Sequence, residues 1–161
     1  MFSVVFIQSS ASFSLKVDQP FLPEQFQTFS NRSEVLSMKT AVVILSDPKS
    51  GSEESLGRLF NAMFLVYELK EKDQDVALIF QGAGSRWASE VVRQDHPANP
   101  LYQAVRDKVV GVCGGCADVF GATVDAEAAG ANLIREKEIP GTTGIIDLSR
   151  YLDEGHRLLT F

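Results

Sequence analysis

The chain has 161 residues, of which 45% are hydrophobic, and this is enough for one domain with a substantial core. Its 15 Lys and Arg residues stand against 21 Asp and Glu, for a formal net charge of −6, which argues against nucleic acid or an anionic membrane as the main partner. No apolar run approaches the roughly 18 residues that a membrane span needs.

The first 37 residues differ in composition from the rest of the chain. They are rich in Ser, Gln and Phe, and they show no sustained helical or strand periodicity. The stretch Phe2–Ile7 has neither the basic start nor the longer apolar run of a secretory signal. We therefore interpret residues 1–37 as a poorly ordered extension, translated from a start codon upstream of the natural one. A short arm that packs on a neighbouring subunit is the alternative.

An alternation of apolar runs and turn signals begins at Met38 and continues to the end of the chain. Thr40–Ser46 and Asp75–Phe80 are short continuous apolar runs, as buried strands should be. Between them, Ser52 is expected to cap an amphipathic helix that extends to about Lys72. The remaining predicted elements are helices over Ser85–Gln94 and Leu101–Lys108, a strand over Val109–Val112, a short helix to Phe120, a helical turn over Asp125–Ala129, a helix over Ile145–Leu152 and a strand over His156–Phe161.

Strands that alternate with helices predict right-handed crossovers and a mostly parallel sheet, covered on both sides. The expected fold of residues 38–161 is therefore a three-layer αβα sandwich with about five strands. Reactive groups in such sheets gather at the carboxyl ends of the strands. Asp47–Ser52, Gln81–Ser85 and Cys113–Cys116 are all expected at that edge.

Both cysteines of the chain lie in the tetrapeptide Cys113-Gly-Gly-Cys116, directly after a predicted strand and before a predicted helix. Outward-pointing N–H groups and the helix dipole stabilise a thiolate there, and the thiolate is the reactive form of cysteine. We expect the sulfur of Cys113 to be presented to solvent at this strand end. A lone Cys-x-x-Cys is no disulfide scaffold and is typical of a reducing compartment, so a cytoplasmic location is expected.

Other kinds of site fit the residues less well, and we expect no metal and no cofactor. Zinc needs about four ligands, and His96 and His156 are far apart in sequence. A thioredoxin-like fold needs two strands and a helix after Ile139-Pro140, where only one helix and one strand remain. Gly82–Gly84 lacks the third spaced glycine of a dinucleotide fingerprint and is interpreted as a tight turn. A final alternative is a binding module in which Cys113 and Cys116 are merely buried.

Several single residues have a simple structural interpretation. His96 is interpreted as a surface residue, and His156 as the neutraliser of a helix C-terminus. Arg86 could border the cysteines and favour a thiolate, although a solvated arginine beside a packed Trp87 is the simpler interpretation. Glu53 and Glu54 are interpreted as acidic residues at a helix start.

From Met38 to Phe161 the chain resembles the DsrE-like family, which includes sulfur-carrier subunits of sulfur oxidisers and TusD-type relay proteins. The resemblance lies most specifically in Val112-Cys113-Gly-Gly-Cys116-Ala-Asp-Val-Phe-Gly121, where a cysteine follows the third strand and a glycine comes eight residues later. Further matching segments are the strand Ala41–Leu45, the helix with Gly57, Phe60 and Asn61, the strand Val76–Phe80 with Gly82, the helix Ile145–Leu152 and the strand Leu158–Phe161.

The resemblance implies a flavodoxin-like or Rossmann-like sheet and assembly as a homo-oligomer, either a trimer or a hexamer. It also implies persulfide transfer, in which a donor protein delivers sulfur to Cys113 and an acceptor protein removes it. Cys116 departs from the single-cysteine relay pattern. It is expected to act as a resolving or modulating thiol, because a neighbouring thiol can attack a persulfide and expel sulfide.

Overall fold

The computed structural model describes residues 38–161, so the expectations for residues 1–37 lie outside the described part of the chain. The described residues form five strands, β1 (Lys39–Ile44), β2 (Val76–Phe80), β3 (Val109–Cys113), β4 (Leu133–Ile134) and β5 (His156–Thr160). They form one sheet in the order β4-β3-β2-β1-β5, and each neighbouring pair is parallel. The α-helices are α1 (Glu53–Glu71), α2 (Trp87–Glu90), α3 (Asn99–Val105), α4 (Gly114–Val119), α5 (Thr123–Ala128) and α6 (Leu148–Asp153).

The core has two layers, one on each face of the sheet, and the expected α/β sandwich is confirmed. Side chains of β1 alternate between them, because successive residues of a strand point to opposite faces. Val42 and Ile44 pack in the layer that also holds buried residues of α1, α2, α3, α4 and α5. Ala41 and Val43 pack in the other layer, which α6 and the segment before it cover. Within residues 38–161, no helix combines the length and the apolar character that crossing a membrane requires.

Helix α1 follows the sequence prediction closely. The Ser52 hydroxyl accepts a hydrogen bond from the Ser55 N–H at 3.1 Å, so it caps the helix as expected. The helix ends at Glu71, one residue before the predicted end. Its apolar face is buried against the sheet through four fully buried side chains, which are Leu59, Ala62, Met63 and Val66.

Three elements differ from the prediction for local reasons. The predicted helix over 85–94 is a 3₁₀ turn followed by only the four residues of α2. Helix α3 begins at Asn99 because Pro100 is accommodated in a first helical turn, where its missing N–H costs no hydrogen bond. Strand β4 was not predicted, since two residues are too few to show a periodic pattern.

The last helix starts three residues later than predicted. Ile145 instead pairs with Lys137 in an antiparallel bridge, and each residue donates its N–H to the other's carbonyl at 2.9 Å. Asp147 then caps α6 by accepting hydrogen bonds from the N–H groups of Ser149 and Arg150. The residues that were predicted as the first turn of a helix therefore lie in a loop that returns to the sheet.

Candidate thiol site

Cys113 is the last residue of β3, and a bulge in that strand decides which way its side chain points. The pairing of β2 with β3 passes from Leu78↔Val109 to Ile79↔Gly111, so Val110 is an extra residue in β3. Val109 packs in the layer that contains α1, whereas Cys113 packs in the opposite layer. In a regular strand these two residues would share a face. The bulge therefore turns the Cys113 side chain toward the layer covered by α6.

The two glycines between the cysteines are required by a close approach of the chain. The segment that passes over them comprises residues 136–147, between Arg135 and α6, and is called the covering segment below. A Cβ on Gly115 would lie 2.7 Å from the carbonyl oxygen of Gly144, and the Gly115 N–H donates to that oxygen at 2.7 Å. A Cβ on Gly114 would lie 2.5 Å from Cγ of Arg135. Glycine is thus the residue that lets the covering segment rest directly on the start of α4.

The expectation that the Cys113 sulfur faces solvent is wrong in this structure. Cys113 is 0% exposed and shares its cluster with Ile134, Ile146 and Tyr151, whereas Cys116 is partly exposed. Both cysteines are free thiols rather than a disulfide. Cys116 is thus the more exposed of the two cysteines, and access of a reagent to Cys113 requires movement of the residues that bury it.

The two thiols share one proton, and this sets the charge of the site. The thiol of Cys116 donates a hydrogen bond to Cys113, and the backbone N–H groups of Ile146 and Cys116 also point at the Cys113 sulfur. These bonds and the positive charge of Arg135 lower the pKa of Cys113 to about 6, although burial of the sulfur by itself raises that pKa. The pKa of Cys116 is raised, because its proton is held by Cys113 and because burial disfavours a second thiolate. At neutral pH the pair is therefore one thiolate and one thiol.

A polar cluster lies beside the thiolate and joins four parts of the chain, one of which is Thr123 at the start of α5. The guanidinium of Arg135 binds the Asp118 carboxylate through both oxygens, from Nη1 to Oδ2 at 2.7 Å and from Nη2 to Oδ1 at 3.0 Å. The Thr143 hydroxyl accepts from Arg135 and donates to Asp118, and the Thr123 hydroxyl donates to Asp118 at 2.6 Å. Asp118 belongs to α4, Arg135 follows β4, and Thr143 is part of the covering segment.

The sequence analysis missed this cluster, because no spacing pattern relates residues from four separate parts of the chain. For Arg86, the sequence left open a position beside the thiols and favoured a solvated side chain, but the structure shows it paired within the fold. Its Nη1 donates to Asp47 at 2.6 Å and its Nε donates to the carbonyl of Phe120 at 3.0 Å. Arg86 therefore joins the loops that follow β1 and α4, and the cation that acts on Cys113 is Arg135.

The other residues singled out from the sequence lie near the same sheet edge or at the ends of helices. The Trp87 side chain is buried as expected. His96 packs against Trp87, with ring centroids 5.8 Å apart, and its Nδ1 accepts from the Ala98 N–H at 3.2 Å. His156 is buried, and its Nδ1 lies 3.2 Å from the carbonyl of Tyr151 in α6, in agreement with the predicted helix-end contact.

The glycine turn after β2 reaches the thiol site from another side. A Cβ on Gly84 would lie 2.2 Å from the carbonyl oxygen of Ile44, so this turn packs tightly on the end of β1. The backbone N–H of Gly82 points at the Cys116 sulfur. The expected convergence of the loops after β1, β2 and β3 at one sheet edge is therefore observed.

A cavity of about 510 Å³ among the described residues is separate from the thiols. It lies between the start of α1, Trp87, His96 and the start of α5, and neither cysteine lines it. Residues 38–161 contain no group of three or more His, Cys, Asp or Glu side chains placed to hold a metal ion.

Comparisons with known proteins agree with this geometry. The model of the DsrE/DsrF-like family matches residues 38–161, which is the whole described part of the chain. The uncharacterized protein MJ0733 of Methanocaldococcus jannaschii is 30% identical over 122 residues, covering 76% of this chain and 94% of that protein. No solved structure matches the chain. The parallel five-stranded sheet with a cysteine at the end of its third strand thus belongs to a member of the DsrE/DsrF-like family.

Proposed function

We propose that this protein transfers sulfur or exchanges thiols through Cys113, with Cys116 as the resolving or modulating thiol. The observation that carries the proposal is the shared proton, which leaves Cys113 as a thiolate held by three hydrogen bonds. A thiolate is the nucleophilic form of cysteine, and a lowered pKa keeps it populated at neutral pH. Membership of the DsrE/DsrF-like family supports a sulfur-relay role of this kind.

The chemistry follows from nucleophilic attack on sulfur. The Cys113 thiolate attacks the outer sulfur of a donor persulfide, R–S–SH. A new sulfur–sulfur bond forms, the old one breaks, and the donor leaves as the thiolate R–S⁻. The persulfide on Cys113 then has two fates.

In the first fate, a thiolate of an acceptor protein attacks the outer sulfur, takes it as its own persulfide and regenerates the Cys113 thiolate. In the second, Cys116 loses its proton to a base and attacks the inner sulfur, which gives a Cys113–Cys116 disulfide and expels HS⁻. A dithiol reductant is then needed to restore the pair.

The cellular location and the oligomeric state of the protein are also part of the proposal. A pair of free thiols that must stay reduced between cycles suits the reducing cytoplasm. We further propose that the protein works as a homo-oligomer, a trimer or a hexamer, with separate donor and acceptor proteins. Light scattering coupled to size-exclusion chromatography distinguishes these assemblies from a monomer.

The test is persulfide loading of the wild type and of two single variants, Cys113→Ser and Cys116→Ser. After incubation with a low-molecular-weight persulfide, mass spectrometry should show one added sulfur atom on Cys116→Ser and none on Cys113→Ser. The wild type should release sulfide and form the internal disulfide. Loading that survives Cys113→Ser would contradict the assignment of the reactive sulfur.

The complete burial of Cys113 favours a second candidate, a binding module in which the cysteines only fill the core. Iodoacetamide distinguishes the two. If the thiols are only structural, Cys113 is alkylated after denaturation and not in the folded protein. If Cys113 is a working sulfur, it is alkylated in the folded state near neutral pH, at a rate limited by how often its cover opens.

A further inference from the structure

We propose that Arg135 is the positioning residue of the thiol site, and that its bonds to Asp118 and Thr143 keep the covering segment closed over Cys113. The inference rests on the proposed function, because it matters only if Cys113 is a working sulfur. It answers the question that the burial of Cys113 raises, namely what must move before a sulfur donor can reach that atom.

The position of Arg135 follows from steric contact. Three atoms of its side chain, Cγ, Nε and Cζ, lie 2.5–2.8 Å from where a Cβ of Gly114 would be. The Arg135 side chain therefore packs against the backbone of Gly114, next to Cys113, in a space that exists only because residue 114 is glycine. Any other residue there would push the arginine away from the thiolate.

The partners of Arg135 show what holds it there. The Asp118 carboxylate accepts two parallel hydrogen bonds from the guanidinium. This arrangement fixes the plane of the arginine as well as its position. Arg135 and Asp118 each have side chains that are 31% exposed, so water can compete for these bonds. A cluster at the surface can break without unfolding the core beneath it.

Thr143 connects this cluster to the covering segment. Its hydroxyl lies between the Arg135 guanidinium and the Asp118 carboxylate and bonds to both. The next residues of the segment, Gly144 and Ile146, make the backbone contacts with Gly115 and with the sulfur of Cys113. Release of Thr143 therefore removes one of the contacts that hold this part of the segment over the thiolate, and leaves the hydrogen bond from the Gly115 N–H to the Gly144 carbonyl as the next one to break.

The groups that can change the charge at Cys113 are few. They are Cys116 on α4 and Arg135 after β4, and the carboxylates of Asp118 and Glu127 act on Arg135; Tyr151 on α6 packs in the same apolar cluster as Cys113. Loss of the Asp118 carboxylate frees the Arg135 guanidinium from its main partner but does not remove its positive charge from the protein. Loss of Arg135 releases the covering segment and also removes the positive charge beside Cys113.

The test compares Asp118→Asn, Thr143→Val, Arg135→Lys and Arg135→Met with the wild type in the full chain. Iodoacetamide alkylation is followed by fragment-ion mass spectrometry, which separates Cys113 from Cys116. We expect Asp118→Asn and Thr143→Val to speed alkylation of Cys113 by about five- to tenfold, as the loss of charge-assisted bonds at a partly exposed site implies. Glu54→Gln, which removes the exposed ion pair of Glu54 with Arg58 on α1, is the matched control and should leave the rate unchanged.

Two further measurements separate local opening and positioning from general destabilisation. Alkylation through local opening is nearly independent of urea below the unfolding transition, whereas alkylation through global unfolding rises steeply with urea. The pH midpoint of alkylation should rise in Arg135→Met, stay close to the wild type in Arg135→Lys, and not rise in Asp118→Asn. A midpoint that Arg135→Met leaves unchanged would overturn the positioning role.

The outcomes also distinguish this inference from the function beneath it. If wild-type Cys113 is alkylated and loaded with sulfur but Asp118→Asn and Thr143→Val do not speed alkylation, the cover is held by something else and the proposed function stands. If Cys113 is neither alkylated nor loaded with sulfur in any folded variant, the proposed function fails and this inference fails with it.

Discussion

Replacing Gly115 by alanine places a methyl group where the covering segment already lies. The new Cβ would be 2.7 Å from the carbonyl oxygen of Gly144 and 3.1 Å from Cγ2 of Ile145. The first of these neighbours is backbone, so it cannot rotate away as a flexible side chain does. The segment must therefore move outward, and the hydrogen bond from the Gly115 N–H to Gly144 at 2.7 Å is stretched or lost.

The size of the effect is a balance of three contributions. Alanine favours a helix over glycine by up to about 1 kcal/mol, which stabilises the variant. Overpacking costs about 1–3 kcal/mol, and a lost hydrogen bond costs about 1 kcal/mol more. We expect a net loss of about 1–3 kcal/mol in the free energy of unfolding, measured by urea denaturation and equal to a few degrees in Tm.

Gly57→Ala is the matched control for this prediction. Gly57 also lies in a helix, α1, but a Cβ there would meet nothing within 4 Å. The same substitution should therefore stabilise the protein by about 0.5–1 kcal/mol, because only the helix propensity changes. Equal effects at the two positions, or a stabilised Gly115→Ala beside a destabilised Gly57→Ala, would refute the steric explanation of Gly115. The Gly115 variant should in addition alkylate faster at Cys113, since its cover is displaced.

Three further predictions follow from the described residues. Alkylation of Cys113 should have its midpoint near pH 6, and Cys116→Ala should raise that midpoint because the largest stabilising bond to the thiolate is lost. Between pH 6 and 9 the unfolded chain keeps the Cys113 proton that the folded protein has released, so the free energy of unfolding should rise with pH. In urea titrations at several pH values, Cys113→Ser should show a smaller rise. Above about pH 9 the raised pKa of Cys116 reverses the trend, since the unfolded chain then loses a proton that the folded protein retains. Ser52→Ala should lower stability by about 1 kcal/mol through loss of the α1 cap, and an unchanged urea midpoint would contradict that role.

Local patterns in the chain were sufficient to predict every strand except β4, and also the longest helix of the domain, α1. The apolar runs of β1 and β2 and the amphipathic period of α1 depend on neighbours in sequence, and the structure confirms them. The placement of Cys113 at the end of the third strand followed in the same way. These features need no long-range contact to be recognised, because burial on both faces or on one face imposes a period on the sequence itself.

The exposure of the sulfur, in contrast, was decided by the tertiary structure. A strand pattern does not show the extra residue at Val110, and that bulge selects the face on which Cys113 lies. The seal over it comes from Gly144 and Ile146, more than 25 residues further along the chain. The cation beside it is Arg135 rather than the sequence candidate Arg86, because contacts between elements, and not distance along the chain, place charges next to one another.

The sequence alone thus determined four of the five strands, the longest helix and where along the chain the thiols lie. Their burial, the shared proton and the cluster that holds the covering segment depend on how separate elements meet in space. The physical reason is that secondary structure follows from short-range periodicity, whereas the reactivity of a thiolate follows from the hydrogen bonds, charges and solvent exclusion that the assembled fold imposes on it.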